Sequence, residues 1–131
     1  MSYLPPFEAI KRTFKITISD GKGRITLSHQ DFLELIKLML RGVALDDRWY
    51  LNEYPDVADA VREGRYRSAK HHFVEEGYLE GRRPANVAVD EEWYLRAYPD
   101  VADGVVSGAF LSPQTHFELH GYAEGRLPSE Y

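Results

Sequence analysis

The chain has no cysteine, which excludes disulfides and thiol chemistry and removes the strongest zinc ligands. No stretch approaches the roughly 18–20 consecutive apolar residues that a bilayer crossing requires, so no membrane span is expected. Met1 to Lys15 holds no apolar core followed by a small-residue cleavage site, so no cleaved secretory signal is expected either. The expected setting is the cytoplasm or the body of a larger particle. Motifs that carry chemistry are missing too: the chain has no phosphate loop, dinucleotide fingerprint, nucleophile triad or metal cluster. Asp20-Gly21-Lys22-Gly23 lacks the G-x-x-x-x-G-K-S/T frame and reads as a turn.

What is present is ordinary for a soluble globular chain: 131 residues, 44% hydrophobic and 28% charged, enough for one compact domain or two very small ones. The net charge of −5 is uneven, with seven Lys/Arg against four Asp/Glu in residues 1–42 and nine against seventeen in residues 43–131. The acidic part repels phosphate backbones, so no nucleic acid partner is expected. The basic part can meet an acidic surface, including the acidic part of another copy; the plainer reading is two solvated faces.

The informative feature is a repeat. Asp46–Pro84 aligns with Asp90–Pro128 at a constant offset of 44, with no gap and 21 of 39 positions identical. Agreement of that extent implies a duplication. The shared frame reads D-x-x-W-Y-L-x-x-Y-P-D-V-A-D, then V-x-x-G, then S-x-x-x-H-F-x-x-x-G-Y-x-E-G-R-x-P. Its punctuation implies three short helices per copy. Asp46 (Asp90) caps the first, which runs to Tyr54 (Tyr98). Pro55 (Pro99) ends it and opens the second, which closes near Gly64 (Gly108). Ser68 (Ser112) caps the third, which carries His72-Phe73 (His116-Phe117) and is expected to stop at Gly77 (Gly121). A block of that size buries too little alone, so the two copies are expected to pack together.

Tyr50, Leu51 and Tyr54 share one helix side and, with Val57, Val61, Phe73 and Tyr78, make a sensible core; Tyr94, Tyr98 and Phe117 are the second copy's counterparts. Trp49 and Trp93 point away from that side. Each either packs on the neighbouring unit or is partly exposed as a stacking platform for a sugar or a partner. His72 and His116 invite a metal or acid–base reading, but one histidine per copy without a second shared ligand is a poor metal site. The plainer reading is a half-buried imidazole hydrogen-bonded within the fold. Arg82 and Arg126, with Asp56, Asp59, Asp100 and Asp103, suggest an ion pair tying each tail to its second helix. No nucleophile accompanies these carboxylates, so a catalytic pair is not expected. No cofactor or metal is expected.

In residues 1–42, Phe14, Ile16 and Ile18 alternate with polar residues, and Arg24-Ile25-Thr26-Leu27 alternates again after the Asp-Gly turn, the pattern of a β-hairpin. A degraded calcium-binding loop fails there, because Ile18, Lys22 and His29 fall where oxygen ligands are needed. Ser28 and Asp31 then open a helix that carries Phe32, Leu33, Leu35, Ile36, Leu38, Met39 and Leu40, with Gly42 as its stop. It is apolar nearly all round and needs cover on more than one side. Docking on another copy or a partner supplies that cover, and so does internal packing on the repeats.

The W-Y-L-x-x-Y-P-D-V-A and H-F-x-x-x-G-Y-x-E-G-R stretches resemble a short bacterial repeat of polysaccharide-linked and cell-surface proteins, often found next to glycosyltransferases. A small chain of this design also resembles, in architecture, spike-base adaptors of phage-like particles. The resemblance implies a cell-surface polysaccharide setting. The fold expected is mainly α, with two tandem three-helix repeats (43–86 and 87–131) preceded by a β-hairpin and one apolar helix (1–42). The function expected is a non-enzymatic adaptor or binding module. It would assemble or dock through Phe32, Leu35, Ile36, Leu38 and Met39, with itself or a protein as the mate, while the tandem repeats present a surface to a protein partner or a cell-surface glycan. The alternative is an accessory carbohydrate-binding protein of a polysaccharide synthesis or export system.

Overall fold

A computed structural model describes residues 3–16 and 23–131. The protein is mainly helical, and every regular element among the described residues is a helix. The chain forms two compact units that divide between Ala85 and Asn86.

The first unit opens with extended residues 3–6 and helix α1 (Phe7–Thr13). The expected β-hairpin is not seen among the described residues. Phe14 closes α1 instead of opening a strand, Lys15 turns into the left-handed region (φ 53°), and Arg24–Leu27 carries no strand. Ile18, the Asp20-Gly21 turn and the first five residues of the rejected calcium loop lie outside the described residues. Local helix signals outweigh the short alternation: Glu8 and Lys11 pair at 2.9 Å one turn apart, and Lys11 and Arg12 sit at the C-terminal end of α1, where the helix dipole favours cations.

Helix α2 (His29–Leu40) begins where the Ser28 hydroxyl accepts from the Asp31 N–H at 3.0 Å. Its apolar surface is divided. Leu40 is buried and Ile36 packs on the unit's core, whereas Phe32 and Met39 are exposed and Leu35 and Leu38 are half-buried. Just beyond, Gly42 lies under the Tyr3 carbonyl; a Cβ there would sit 2.8 Å from the carbonyl carbon, so only glycine lets residues 3–6 cross.

The rest of this unit is α3 (Asp47–Glu53), α4 (Pro55–Arg62) and α5 (Ala69–His72). Asp46 accepts from the Trp49 N–H and Ser68 from the His71 N–H, both at 3.0 Å. Tyr54 ends α3 in a non-helical conformation, and Pro55 occupies the first turn of α4. The third helix does not stop at Gly77. It widens into a π turn over Phe73–Gly77, with the Tyr78 N–H donating to the Phe73 carbonyl at 3.0 Å, and ends at Gly81 (φ 84°). There the Arg82 N–H reaches back to the Gly77 carbonyl at 2.9 Å, the closing bond of a Schellman cap. The chain then returns to its start, the Asp46 N–H donating to the Pro84 carbonyl at 3.0 Å. Tyr50, Val57 and Phe73 are fully buried beneath this loop, each contributing about 1.5–3 kcal/mol of apolar burial. Tyr78, expected in the core, is 42% exposed, its ring meeting Phe73 edge-on at 6.2 Å.

The second unit runs α6 (Glu91–Ala97), α7 (Pro99–Val106) and α8 (Pro113–His116), then a π turn over Phe117–Gly121 and α9 (Tyr122–Glu124). Its caps are Asp90 on the Trp93 N–H and Ser112 on the Thr115 N–H, both at 3.1 Å. Gly125 (φ 80°) ends it, and the Asp90 N–H donates to the Pro128 carbonyl at 2.9 Å. Tyr94, Val101 and Phe117 form its core.

Candidate functional site

In the first unit, α3 and α5 bring the Tyr50 hydroxyl to Nδ1 of His72 at 2.9 Å, a hydrogen bond buried in the core. In the second unit Tyr94 and His116 do the same at 2.8 Å. Burial lowers the pKa of both histidines, and each unit's arginine lowers it further. Burial pushes both tyrosines up. Tyr50 and Tyr94 are fully buried and the two histidines only 3–4% exposed, so each bond is enclosed in its unit's core. Gly77 explains the closeness of the pair: a Cβ there would collide with the Tyr50 oxygen and stand 3.2 Å from His72 Nδ1. Gly121 has the same relation to Tyr94 and His116.

The second polar constellation joins α4 to the tail. Arg82 donates from both terminal nitrogens to Asp56, at 2.9 and 2.7 Å, and from Nε to Glu80 at 2.8 Å. Its guanidinium lies 4.9 Å from the centre of the Tyr54 ring, whose hydroxyl accepts from the Arg83 N–H at 3.0 Å. Arg126, Asp100, Glu124 and Tyr98 repeat each of these contacts, with Leu127 supplying the backbone N–H. The paired guanidinium holds Asp56 and Asp100 below the usual carboxylate range. Asp59 pairs on its own helix with Arg62 and does not reach the tail.

These residues border a cleft of about 300 Å³ in the first unit, lined by Asp56, Asp59, Tyr66, His72, Glu76, Glu80 and Arg82 among others. Of the groups able to hold a cation, His72, Glu76 and Glu80 each bring one donor atom to within 4.8 Å of the others. Two of the three are already engaged, His72 by Tyr50 and Glu80 by Arg82, and Glu76 raises the pKa of the nearby Tyr66 hydroxyl. Sequence reading missed Tyr66, Glu76 and Glu80 as neighbours of His72. The repeated Glu80 and Glu124 were the available signal, but ending the third helix at Gly77 hid the continuous face from His72 to Glu80.

Trp49 is half-buried and meets Tyr54 edge-on at 6.1 Å, with the Arg83 guanidinium 5.3 Å from its ring centre. Trp93 is likewise half-buried and meets Tyr98 at 6.0 Å, but Leu127 stands where the first unit has Arg83. Each tryptophan thus packs on its own unit's Tyr-Pro-Asp corner.

No family model, no curated protein and no solved structure matches this chain.

Proposed function

We propose that the chain is a non-enzymatic structural adaptor: one helical block used twice, with an N-terminal segment through which it assembles or docks. The repeats then present a surface to a protein partner or a cell-surface glycan, as in a spike- or shell-attached part of a phage-like particle. One observation carries the reading. The recurring polar side chains Tyr50, Tyr54, Asp56, His72, Glu80 and Arg82, with their second-unit counterparts, are all bonded within their own block. Side chains used in this way supply architecture; a reaction centre instead needs groups left available to substrate. The N-terminal part adds an exposed apolar face on α2, with Phe32 51% and Met39 36% exposed, of the kind that marks association surfaces.

Sedimentation velocity of the full chain across a wide concentration range tests this reading. The expected result is reversible association, abolished by Leu38→Asp without loss of helical circular dichroism. A monomer at every concentration, or turnover lost with His116→Ala while the fold survives, contradicts it.

The alternative, an accessory carbohydrate-binding protein, is favoured by Trp93 alone, whose ring lacks the guanidinium that covers Trp49. Glycan-array binding that is lost on Trp93→Ala, with folding intact, selects this alternative.

A further inference from the structure

We propose that the surface around Leu111 and Leu119 of the second unit receives helix α2 of another copy, joining copies head to tail. This rests on the assembly reading above and names both halves of the joint.

The first unit supplies the template. Its residues Arg67, Val74 and Glu75 line one groove with Arg41 at the end of α2, and Lys37 of α2 pairs with Glu75 at 2.9 Å. Val74 is buried in the core cluster that Leu40 joins and Ile36 packs against. This surface is therefore built to hold α2 through one apolar seat and one carboxylate.

At an offset of 44 the corresponding positions are Leu111, Glu118 and Leu119. An apolar seat and a carboxylate recur there in reversed order, Val74-Glu75 becoming Glu118-Leu119, and Arg67 becomes a further leucine. The second unit has no counterpart of α2 among its elements. Leu111 is 89% exposed and Leu119 67% exposed. Exposed leucines here, in place of an arginine and a glutamate, cost solubility and gain nothing unless covered.

The occupant follows from α2. Ile36 and Leu40 are used on its own unit, while Phe32, Leu35 and Met39 form a second stripe at i, i+3 and i+7. Phe32 and Met39 are the exposed ends of that stripe. Charge favours the same mate through what flanks the helix: α2 itself holds Asp31 and Glu34 against Lys37, but residues 1–42 as a whole carry a net +3, and residues 86–131 hold two arginines against eight acidic residues, a net −6. Donor and acceptor are different surfaces, so each copy keeps one of each to offer; the joint is heterologous and closes as a ring or reciprocal pair, or grows as a filament.

The test is sedimentation velocity of the full chain with Phe32→Glu, with Leu119→Glu, and with an equimolar mixture of the two. Both sites are exposed, so both variants are expected to keep the wild-type circular dichroism; Leu111→Glu stands in if Leu119→Glu misfolds. Each variant alone is expected to associate at least about 30-fold more weakly than wild type, as for a central apolar contact. The mixture is expected to form a 1:1 complex and nothing larger, because it contains one intact donor and one intact acceptor. Higher salt is expected to weaken it. If Leu119→Glu and Leu111→Glu assemble like wild type while Phe32→Glu does not, the acceptor lies elsewhere; the inference is overturned and the assembly reading stands. If the mixture remains two monomers, the inference is likewise overturned. A wild-type chain that stays monomeric throughout overturns both.

Discussion

Replacing Gly77 with alanine puts a methyl group against the Tyr50 hydroxyl and 3.2 Å from His72 Nδ1. Overfilling a packed core costs about 1–3 kcal/mol, offset by up to about 1 kcal/mol from the better helix propensity of alanine. Tyr50→Phe removes the hydroxyl instead and leaves Nδ1 of a histidine only 4% exposed without its partner. An orphaned buried polar group costs about 1–3 kcal/mol. The two changes are not independent, because phenylalanine vacates the space that the alanine methyl needs. The double variant is therefore expected to be about as stable as Tyr50→Phe alone, with a coupling of about 1–2 kcal/mol. Urea unfolding followed by tryptophan fluorescence reads this directly, in a Trp93→Phe background so that Trp49 reports its own unit. Costs that simply add would show that Gly77 and the Tyr50 oxygen do not meet, and the account of this glycine would be wrong.

Stability should also depend on acid in two stages. Burial lowers the pKa of His72 and His116 from an ordinary 6.5, so just below 6.5 the unfolded chain binds more protons than the folded one. The stability they contribute is complete above pH 6.5 and falls as pH drops through their folded-state values. Asp56 and Asp100, lowered from 3.8 by their arginines, add a second loss below about pH 4. Urea midpoints measured from pH 8 to pH 3 check both; a midpoint unchanged between pH 7 and 5 counts against buried neutral imidazoles. Gly81→Ala is expected to cost about 1–2 kcal/mol through its backbone alone, since φ is 84° and no atom lies within 4 Å of the added carbon. A Gly81→Asn variant should recover part of that loss in the same unfolding assay.

Much of the helical architecture is legible from local signals in the sequence that recur at an offset of 44. Asp46, Pro55 and Ser68 act locally as caps and first-turn residues, and such roles are readable without tertiary knowledge. Gly77 was misread because glycine in a sequence has two common causes, a left-handed stop or a close approach; here Gly81 is the stop and Gly77 the approach. The π turn follows from that approach and has no composition signal of its own. Near the N-terminus the alternation of Phe14, Ile16 and Ile18 suggests a strand, while the acid–base pairing inside Phe7–Thr13 favours a helix. The division of α2 into a covered and an open stripe was not legible at all. Its residues are apolar on every side, and only packing shows which of them the first unit uses.

The central claim is that the recurring polar residues are bonded inside each unit and hold that unit's own fold. Arg82→Gln and Arg126→Gln test it most directly, each followed by unfolding of its own unit with Trp49 or Trp93 as the sole tryptophan. Each arginine makes a two-pronged pair with an exposed aspartate and lies over a tyrosine ring. The account predicts matching losses of about 1 kcal/mol in the two units. No loss in either, or a clear loss in one and none in the other, would contradict it.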